Sequence, residues 1–93
     1  MLTFEAEVWP HSGEGGWHFV TVPADVSDEI RDHSAPGGFG SVRVTATIGG
    51  TTWQTSVFPQ TGTGCYVLPV RRQVRDAEDA HAGAVVRVRI EVA

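Results

Sequence analysis

The residues of this chain that could do chemistry are four histidines, one cysteine, eleven acids and seven arginines, so we first ask whether their spacing forms a site. His11, His18, His33 and His81 form no i,i+4 pair and no His-x-His, and Cys65 has no second cysteine with which to form a Cys-x-x-Cys. Zinc sites gather their ligands through such closely spaced pairs. We therefore predict surface histidines, no metal and no cofactor.

Glycine-rich stretches at residues 13–16, 37–40 and 62–64 resemble phosphate-binding loops in composition alone. A P-loop requires lysine followed by serine or threonine, and this chain contains no lysine. Cys65 opens an apolar run, which favours a small buried hydrophobic side chain over an activated thiol. No Gly-x-Ser-x-Gly elbow is present in the sequence. The sequence therefore predicts hairpin turns, no catalytic residue and no enzymatic activity.

Two groups of side chains are the candidate binding surface. Trp9 and Phe58 each precede a proline, and they either plug the ends of the core or form an exposed aromatic rim that binds a partner or ligand. Arg71, Arg72 and Arg75 share a predicted helix, and Arg87 and Arg89 lie on the outer face of the last predicted strand. These arginines form either a solvated face that balances the acidic first half or a patch for an anion or an acidic partner. We take Trp9, Phe58, Arg71, Arg72 and Arg75 as the candidate surface for a partner or ligand.

The elements that would position these residues occur twice along the chain. Residues 5–22 read as two strands around a glycine-rich loop, and residues 55–70 repeat that pattern, with Val-Trp-Pro at 8–10 matching Val-Phe-Pro at 57–59. Each half continues through a short amphipathic helix (24–33 and 71–80) into an alternating strand (40–48 and 83–90). The predicted fold is mainly β: a six-stranded double-split barrel in a single chain, made of two β-β-α-β repeats at about 3–48 and 52–92 and capped by two short helices.

The junction and the core follow from the same patterns. Gly49 and Gly50 lie between two alternating runs and predict a two-residue hairpin turn. Apolar residues that alternate with polar neighbours in the two clearest strands should form the core. These predicted core residues are Val44, Ile48, Val86, Val88 and Ile90.

Length and charge restrict the function classes. A chain of 93 residues predicts one domain, residues 1–93, because a second core could not be buried at this length. The net charge is −4, and it divides into about −5 for residues 1–50 (seven acids, two arginines) and +1 for the rest (four acids, five arginines). This balance disfavours nucleic acid. The lone cysteine, the acidic N-terminal segment and the absence of an apolar run of about 20 residues predict a cytoplasmic protein without a membrane segment.

Three motifs carry a resemblance to a known family. They are Gly-Trp-His-Phe-Val-x-Val-Pro-Ala-Asp-Val at 16–26, Val-x-Ala-Thr-Ile-Gly-Gly-x-x-Trp-Gln-Thr-Ser at 44–56, and Gly-x-Gly-Cys-Tyr-Val-Leu-Pro-Val-Arg-Arg-x-Val-Arg at 62–75. The chain resembles a prokaryotic family of domains of unknown function. The resemblance implies an AbrB/MazE-like double-split β-barrel, and some members are fused or adjacent to YdeI-like domains. The family's last strand usually opens Gly-Asp, whereas this chain has Gly83-Ala84.

The predicted function is that of a small non-enzymatic binding or interaction module, which acts as a monomer or weak dimer on an unknown protein or small ligand. The resemblance adds a YdeI-like protein as a candidate partner. A DNA-binding or transcription-associated module is the first alternative, by analogy with AbrB-like folds. The second alternative is a small-ligand binder or an enzyme without a recognisable motif.

Overall fold

The computed structural model of the chain describes residues 1–13, 15–33 and 40–93. Of the three glycine-rich stretches, the one predicted at 37–40 therefore lies outside the described residues except for Gly40.

The described residues form seven strands and two helices, in the order that the sequence predicts. The chain follows β1 (Leu2–Glu7), β2 (Trp9–Pro10), β3 (His18–Thr21), α1 (Ala24–His33), β4 (Val42–Ile48), β5 (Thr51–Pro59), β6 (Tyr66–Pro69), α2 (Arg72–Glu78) and β7 (Val85–Val92). The prediction of six strands is wrong by one, because the first predicted strand divides at Val8 into β1 and β2.

The strands form an antiparallel sheet in the order β1-β7-β4-β5-β6-β3-β2, which curls into a nearly closed barrel. The two edge strands are consecutive in the chain, and Val8 joins them. The Val8 N–H donates to the Ala84 carbonyl and its carbonyl accepts from the Gly83 N–H, both at 2.8 Å. The next residue, Trp9, pairs with Phe19 of β3. The chain thus leaves one sheet edge and joins the other within two residues, so the two edges of the sheet meet at Val8.

Strand β5 also changes its pairing partner along its length, and it thereby connects the β1-β7-β4 part of the sheet to the β6-β3-β2 part. Its first seven residues, Thr51 to Val57, pair with β4, and its last two, Phe58 and Pro59, pair with β6. The turn before β5 consists of Gly49 and Gly50, as predicted, and closes on the pair Ile48–Thr51. Of the two glycines, Gly49 has the positive φ, at 59°.

The buried side chains form one hydrophobic cluster inside the barrel. Of the five predicted core residues, four are buried, and Val86 is half-buried against the cluster because it lies near the beginning of its strand. Helix α1 contributes Val26 and Ile30 to the cluster and α2 contributes Val74.

Two helical residues differ from the sequence pattern. Ala77 is exposed although it continues the apolar spacing of α2. Ser27 is fully buried although it lies among acids, because its hydroxyl donates to the Val22 carbonyl and accepts from the Tyr66 N–H, each at 3.0 Å. In the described part of the chain, neither helix has the length or apolar character needed to cross a bilayer.

Candidate functional site

A surface cleft of about 530 Å³ brings together residues from four separate stretches of the chain. Its base is the outer face of β4 and β5, one wall is the beginning of α2, and the other wall is the end of the β2–β3 hairpin loop. The residues that line it are Gly15, Gly16, Trp17, His18, Arg43, Gln54, Thr55, Ser56, Phe58, Pro69, Val70, Arg71, Arg72 and Arg75. We call this feature the arginine cleft.

Four of the chain's seven arginines line this cleft, and the described lining contains no Asp or Glu. The Arg71 guanidinium donates to the Gln54 carbonyl at 3.4 Å, and Arg72 lies 3.7 Å from the Asp76 carboxylate with both side chains exposed. Arg43 makes no ion pair or side-chain hydrogen bond within the described chain. An exposed pair such as Arg72–Asp76 is weak, so the cleft is a concentrated positive charge in a protein whose net charge is negative.

Arg75 is the most firmly positioned of the four. Its Nε donates to the Val70 carbonyl at 3.1 Å and its Nη2 to the Gly16 carbonyl at 3.5 Å. The same Gly16 carbonyl accepts from His18 Nδ1 at 2.8 Å, which fixes the hydrogen on that ring nitrogen. A guanidinium has five N–H donors, so three donors of Arg75 remain beyond these two bonds. The bond to Gly16 holds the hairpin loop against α2, and the bond to Val70 fixes the side chain at the start of that helix.

The hairpin loop needs glycine to adopt this shape. Gly15 and Gly16 have φ values of 96° and 66°, which a residue with a Cβ rarely adopts. A Cβ on Gly15 would also lie 3.1 Å from Trp17 Cδ1. The two glycines therefore set the loop backbone that positions the Trp17 ring at the cleft.

Exposed aromatic rings complete the cleft. Trp17 is 56% exposed and Phe58 45% exposed, although both are large hydrophobic side chains. Trp17 stacks on Phe19 with centroids 6.1 Å apart and planes 11° apart. Phe19 in turn contacts Trp9, at 5.1 Å between centroids. We call Trp17, Phe19 and Trp9 the aromatic ladder.

The structure brings together four of the five residues that the sequence singled out. Phe58, Arg71, Arg72 and Arg75 all line the arginine cleft. Trp9 does not line it: its ring is half-buried in the aromatic ladder, and Nε1 donates to Thr21 Oγ1 at 3.0 Å. Trp9 is therefore connected to the cleft through its ring contact with Phe19, which in turn stacks on Trp17.

Sequence reasoning missed Trp17, Arg43 and His18 as lining residues. Trp17 and His18 lie near α2 because the hairpin loop folds over the barrel, and no local sequence pattern encodes that arrangement. Arg43 does carry one signal, because alternation places it on the outer face of β4, opposite Ser56 of β5. Trp17 carries another, since it directly follows two glycines and comes one residue before β3.

The other residues considered for chemistry remain apart. In residues 1–13, 15–33 and 40–93, no three His, Cys, Asp or Glu side chains are grouped so that they could hold a metal ion. Cys65 is half-buried rather than part of the core, because it precedes β6 in a turn where its N–H donates to Thr63 Oγ1 at 3.1 Å.

The fold and the cleft define a small β-barrel domain with a cationic, aromatic-lined surface site. The chain belongs to the family described as Domain of unknown function (DUF1905), whose match covers residues 4–90. The expected membership of a domain family of unknown function is thereby confirmed. No curated protein matches the chain significantly.

Proposed function

We propose that this domain is a non-catalytic binding module that holds an anionic ligand in the arginine cleft. The observation that carries the proposal is the grouping of Arg43, Arg71, Arg72 and Arg75 around one cleft without a lining carboxylate in the described chain. Like charges held close together oppose folding, and sites that reduce stability in this way are common where a function requires them. The described lining holds no carboxylate or thiol, and its imidazole, His18, is held by a hydrogen bond from Nδ1 to the Gly16 carbonyl.

We further propose that the barrel is an internal duplication of the double-split, AbrB/MazE-like type, with the two halves related by a pseudo-twofold axis. Equivalent strand pairs support this. Trp9–Phe19 and Pro10–His18 in the first half correspond to Phe58–Val67 and Pro59–Tyr66 in the second. Equivalent helix bonds support it too, since Ser27 N donates to the Pro23 carbonyl as Arg75 N does to that of Arg71.

This duplication gives the cleft an internal control. Arg75 corresponds to Ser27, and both side chains donate to the last carbonyl of the preceding strand segment, Val70 in one half and Val22 in the other. This bond is thus made once by a buried hydroxyl, which also accepts from the Tyr66 N–H, and once by a guanidinium, which also donates to the Gly16 carbonyl and lines the cleft. An uncharged side chain can make the shared bond, so that bond alone does not account for the charge of Arg75.

The same comparison applies to the rest of the cleft. The strand registers align Arg43 with Val85, since Arg43 lies opposite Ser56 as Val85 lies opposite Glu7. The helix bonds align Arg71, Arg72 and Arg75 with Pro23, Ala24 and Ser27. All four residues that correspond to the cleft arginines are uncharged. Gln54 and Ser56 of the cleft floor correspond to Glu5 and Glu7. One half therefore presents a cationic surface where the other presents an acidic one, and the fold alone does not require the arginines.

The remaining expectations stay predictions: a cytoplasmic location, a monomer or weak dimer, and a YdeI-like partner. No observation on the described residues favours the DNA-binding alternative: the net charge is −4, and the exposed Arg87 and Arg89 line a depression separate from the cleft.

The experiment compares two double variants of equal charge. R43Q/R72Q removes two cleft arginines whose guanidinium groups make no bond to the backbone, and R87Q/R89Q removes two arginines of β7 that lie outside the cleft. Binding of pyrophosphate, citrate and AMP is measured by calorimetry. We expect at least one of these anions to bind with a stoichiometry of one. The cleft variant should weaken it about 30-fold, if each exposed charged contact contributes about 1 kcal/mol.

The control variant should leave this affinity nearly unchanged. Equal weakening by both variants would mean that the net charge of the protein, not the cleft, attracts the anion. Absence of binding by all three anions would contradict the proposed function.

A further inference from the structure

We infer that the ligand of the arginine cleft is a small anion that carries a planar ring, with the chemistry and size of a mononucleotide. This inference rests on the proposed function and adds the ring and the size. The exposed aromatic side chains, the dimensions of the cleft and the charge around it support the inference.

The aromatic side chains at the cleft are positioned for stacking. Trp17 packs one part of its surface on Phe19 and still leaves 56% of the side chain exposed at the cleft. Phe58 is also exposed, at the strand segment that pairs with β6. Because the aromatic ladder already holds the Trp17 ring, less rotamer freedom is lost when a ligand ring stacks on it. Aromatic side chains held in this way are the usual platforms for the bases of nucleotides.

The arginines supply the anion site beside these rings. The backbone carbonyls of Val70 and Gly16 hold Arg75, and the Gln54 carbonyl holds Arg71. Arginine forms paired hydrogen bonds with phosphate or carboxylate oxygens through its planar group. A ligand with an anionic group and a ring would satisfy both parts of the cleft at once, whereas a bare inorganic anion would leave Trp17 and Phe58 in water.

Size and surrounding charge favour a small ligand over a polymer. The volume of about 530 Å³ lies within the range of small-molecule sites, about 300–1,000 Å³. A nucleic-acid strand needs a cationic track beyond one phosphate. Outside the cleft, Arg31 pairs with Asp28 and Arg87 lies opposite Glu5 in the β1–β7 ladder, while Arg89 lies opposite Thr3. Arg87 and Arg89 line a separate, smaller depression of about 190 Å³ that shares no lining residue with the arginine cleft. The four cleft arginines are therefore a local group, apart from the other cationic residues.

The test compares AMP, which has both groups, with ribose 5-phosphate, which lacks the ring, and adenosine, which lacks the charge. We expect AMP to bind at least about tenfold more tightly than either, since stacking on an aromatic side chain typically supplies that factor or more. W17A should reduce AMP affinity to that of ribose 5-phosphate and leave ribose 5-phosphate binding unchanged. V85A, which shortens an exposed hydrophobic side chain outside the cleft lining, is the matched control and should change neither.

The outcomes separate this inference from the proposed function. Equal binding of AMP and ribose 5-phosphate, unaffected by W17A, would overturn the ring and leave the anion site standing. Equal binding of adenosine and AMP would overturn the role of charge. A ten-residue oligoadenylate that binds far more tightly than AMP would overturn the small ligand in favour of single-stranded nucleic acid. Loss of all anion binding would overturn both proposals. Circular dichroism of W17A checks that the variant is folded; if it is not, W17L is measured in its place.

Discussion

Ser27 offers a direct test of how the two halves of the barrel are joined, through the substitution Ser27→Ala. The hydroxyl lies in the core and connects two strands: it donates to the carbonyl of Val22, which follows β3, and accepts from the N–H of Tyr66 at the start of β6. Alanine fills nearly the same space but can make neither bond. The substitution therefore removes hydrogen bonding without opening a large cavity.

The magnitude follows from these two bonds. A typical hydrogen bond contributes about 1 kcal/mol net, and a buried N–H left without an acceptor costs about 1–3 kcal/mol. Tyr66 is buried, so its N–H has no ready access to water. Alanine gains at most about 0.5 kcal/mol from its higher helix propensity. We expect Ser27→Ala to lower the free energy of unfolding by about 1.5–3.5 kcal/mol, which corresponds to a fall in Tm on the order of 6–25 °C for a chain of this size.

Urea denaturation followed by tryptophan fluorescence measures this change, with Ser41→Ala as the matched control. Ser41 is exposed, and we expect its replacement to change the unfolding free energy by less than about 0.5 kcal/mol. A cost for Ser27→Ala as small as that of the control, with an unchanged m-value, would refute the reasoning. It would mean that the hydroxyl is not the acceptor of the Tyr66 N–H in the folded protein.

Two further predictions use neighbouring residues as controls. Gly49→Ala should destabilise the protein by about 1–3 kcal/mol, because φ at Gly49 is 59° and a Cβ there would collide with the Glu78 carboxylate. A Cβ on Gly50 meets open space, so Gly50→Ala should cost far less. Equal shifts in Tm for the two variants would contradict this prediction. Val88→Ala should lower the free energy of unfolding by roughly 1–3 kcal/mol, because apolar burial is lost and a cavity is left behind. Val85 lies on the same strand but is 67% exposed, so Val85→Ala should be nearly neutral in urea denaturation. A neutral result for Val88→Ala would place the Val88 side chain outside the core.

Much of the fold could be predicted from the sequence because the alternation of apolar and polar residues records which strand face is buried. Val44, Ile48, Val88 and Ile90 follow that pattern and are buried. The break between β1 and β2 leaves no such record, since Val8 keeps the alternation while the chain moves from one strand partner to another. Periodicity reports burial, not the identity of the neighbouring strand.

The candidate site was predicted only in fragments. The arginines of α2 and the ring of Phe58 were separate features of the sequence, and the structure places them around one cleft. Trp17 could not be assigned to that cleft from the sequence, because its position depends on the backbone of Gly15 and Gly16.

The sequence around Ser27 does not indicate that this residue is buried. A short polar residue among acids usually faces water, and only the unpaired backbone groups of the neighbouring strands explain why this one is buried.

The claim that the arginine cleft is a ligand site is tested most directly by the indole N–H signals of the three tryptophans. They report on three different surroundings. Trp17 lines the cleft, Trp9 is hydrogen-bonded to Thr21, and the indole nitrogen of Trp53 is buried and has no partner in the described chain. Nitrogen-15 correlation spectra recorded during a titration with AMP follow all three signals in one sample.

We predict a saturable shift of the Trp17 signal, a smaller shift of Trp9 through the aromatic ladder and no shift of Trp53. The apparent affinity should fall as salt rises from about 0.1 M to 1 M, because the Debye length shrinks from about 10 Å to 3 Å. An unmoved Trp17 signal at saturating AMP, or shifts confined to residues outside the cleft, would contradict the account.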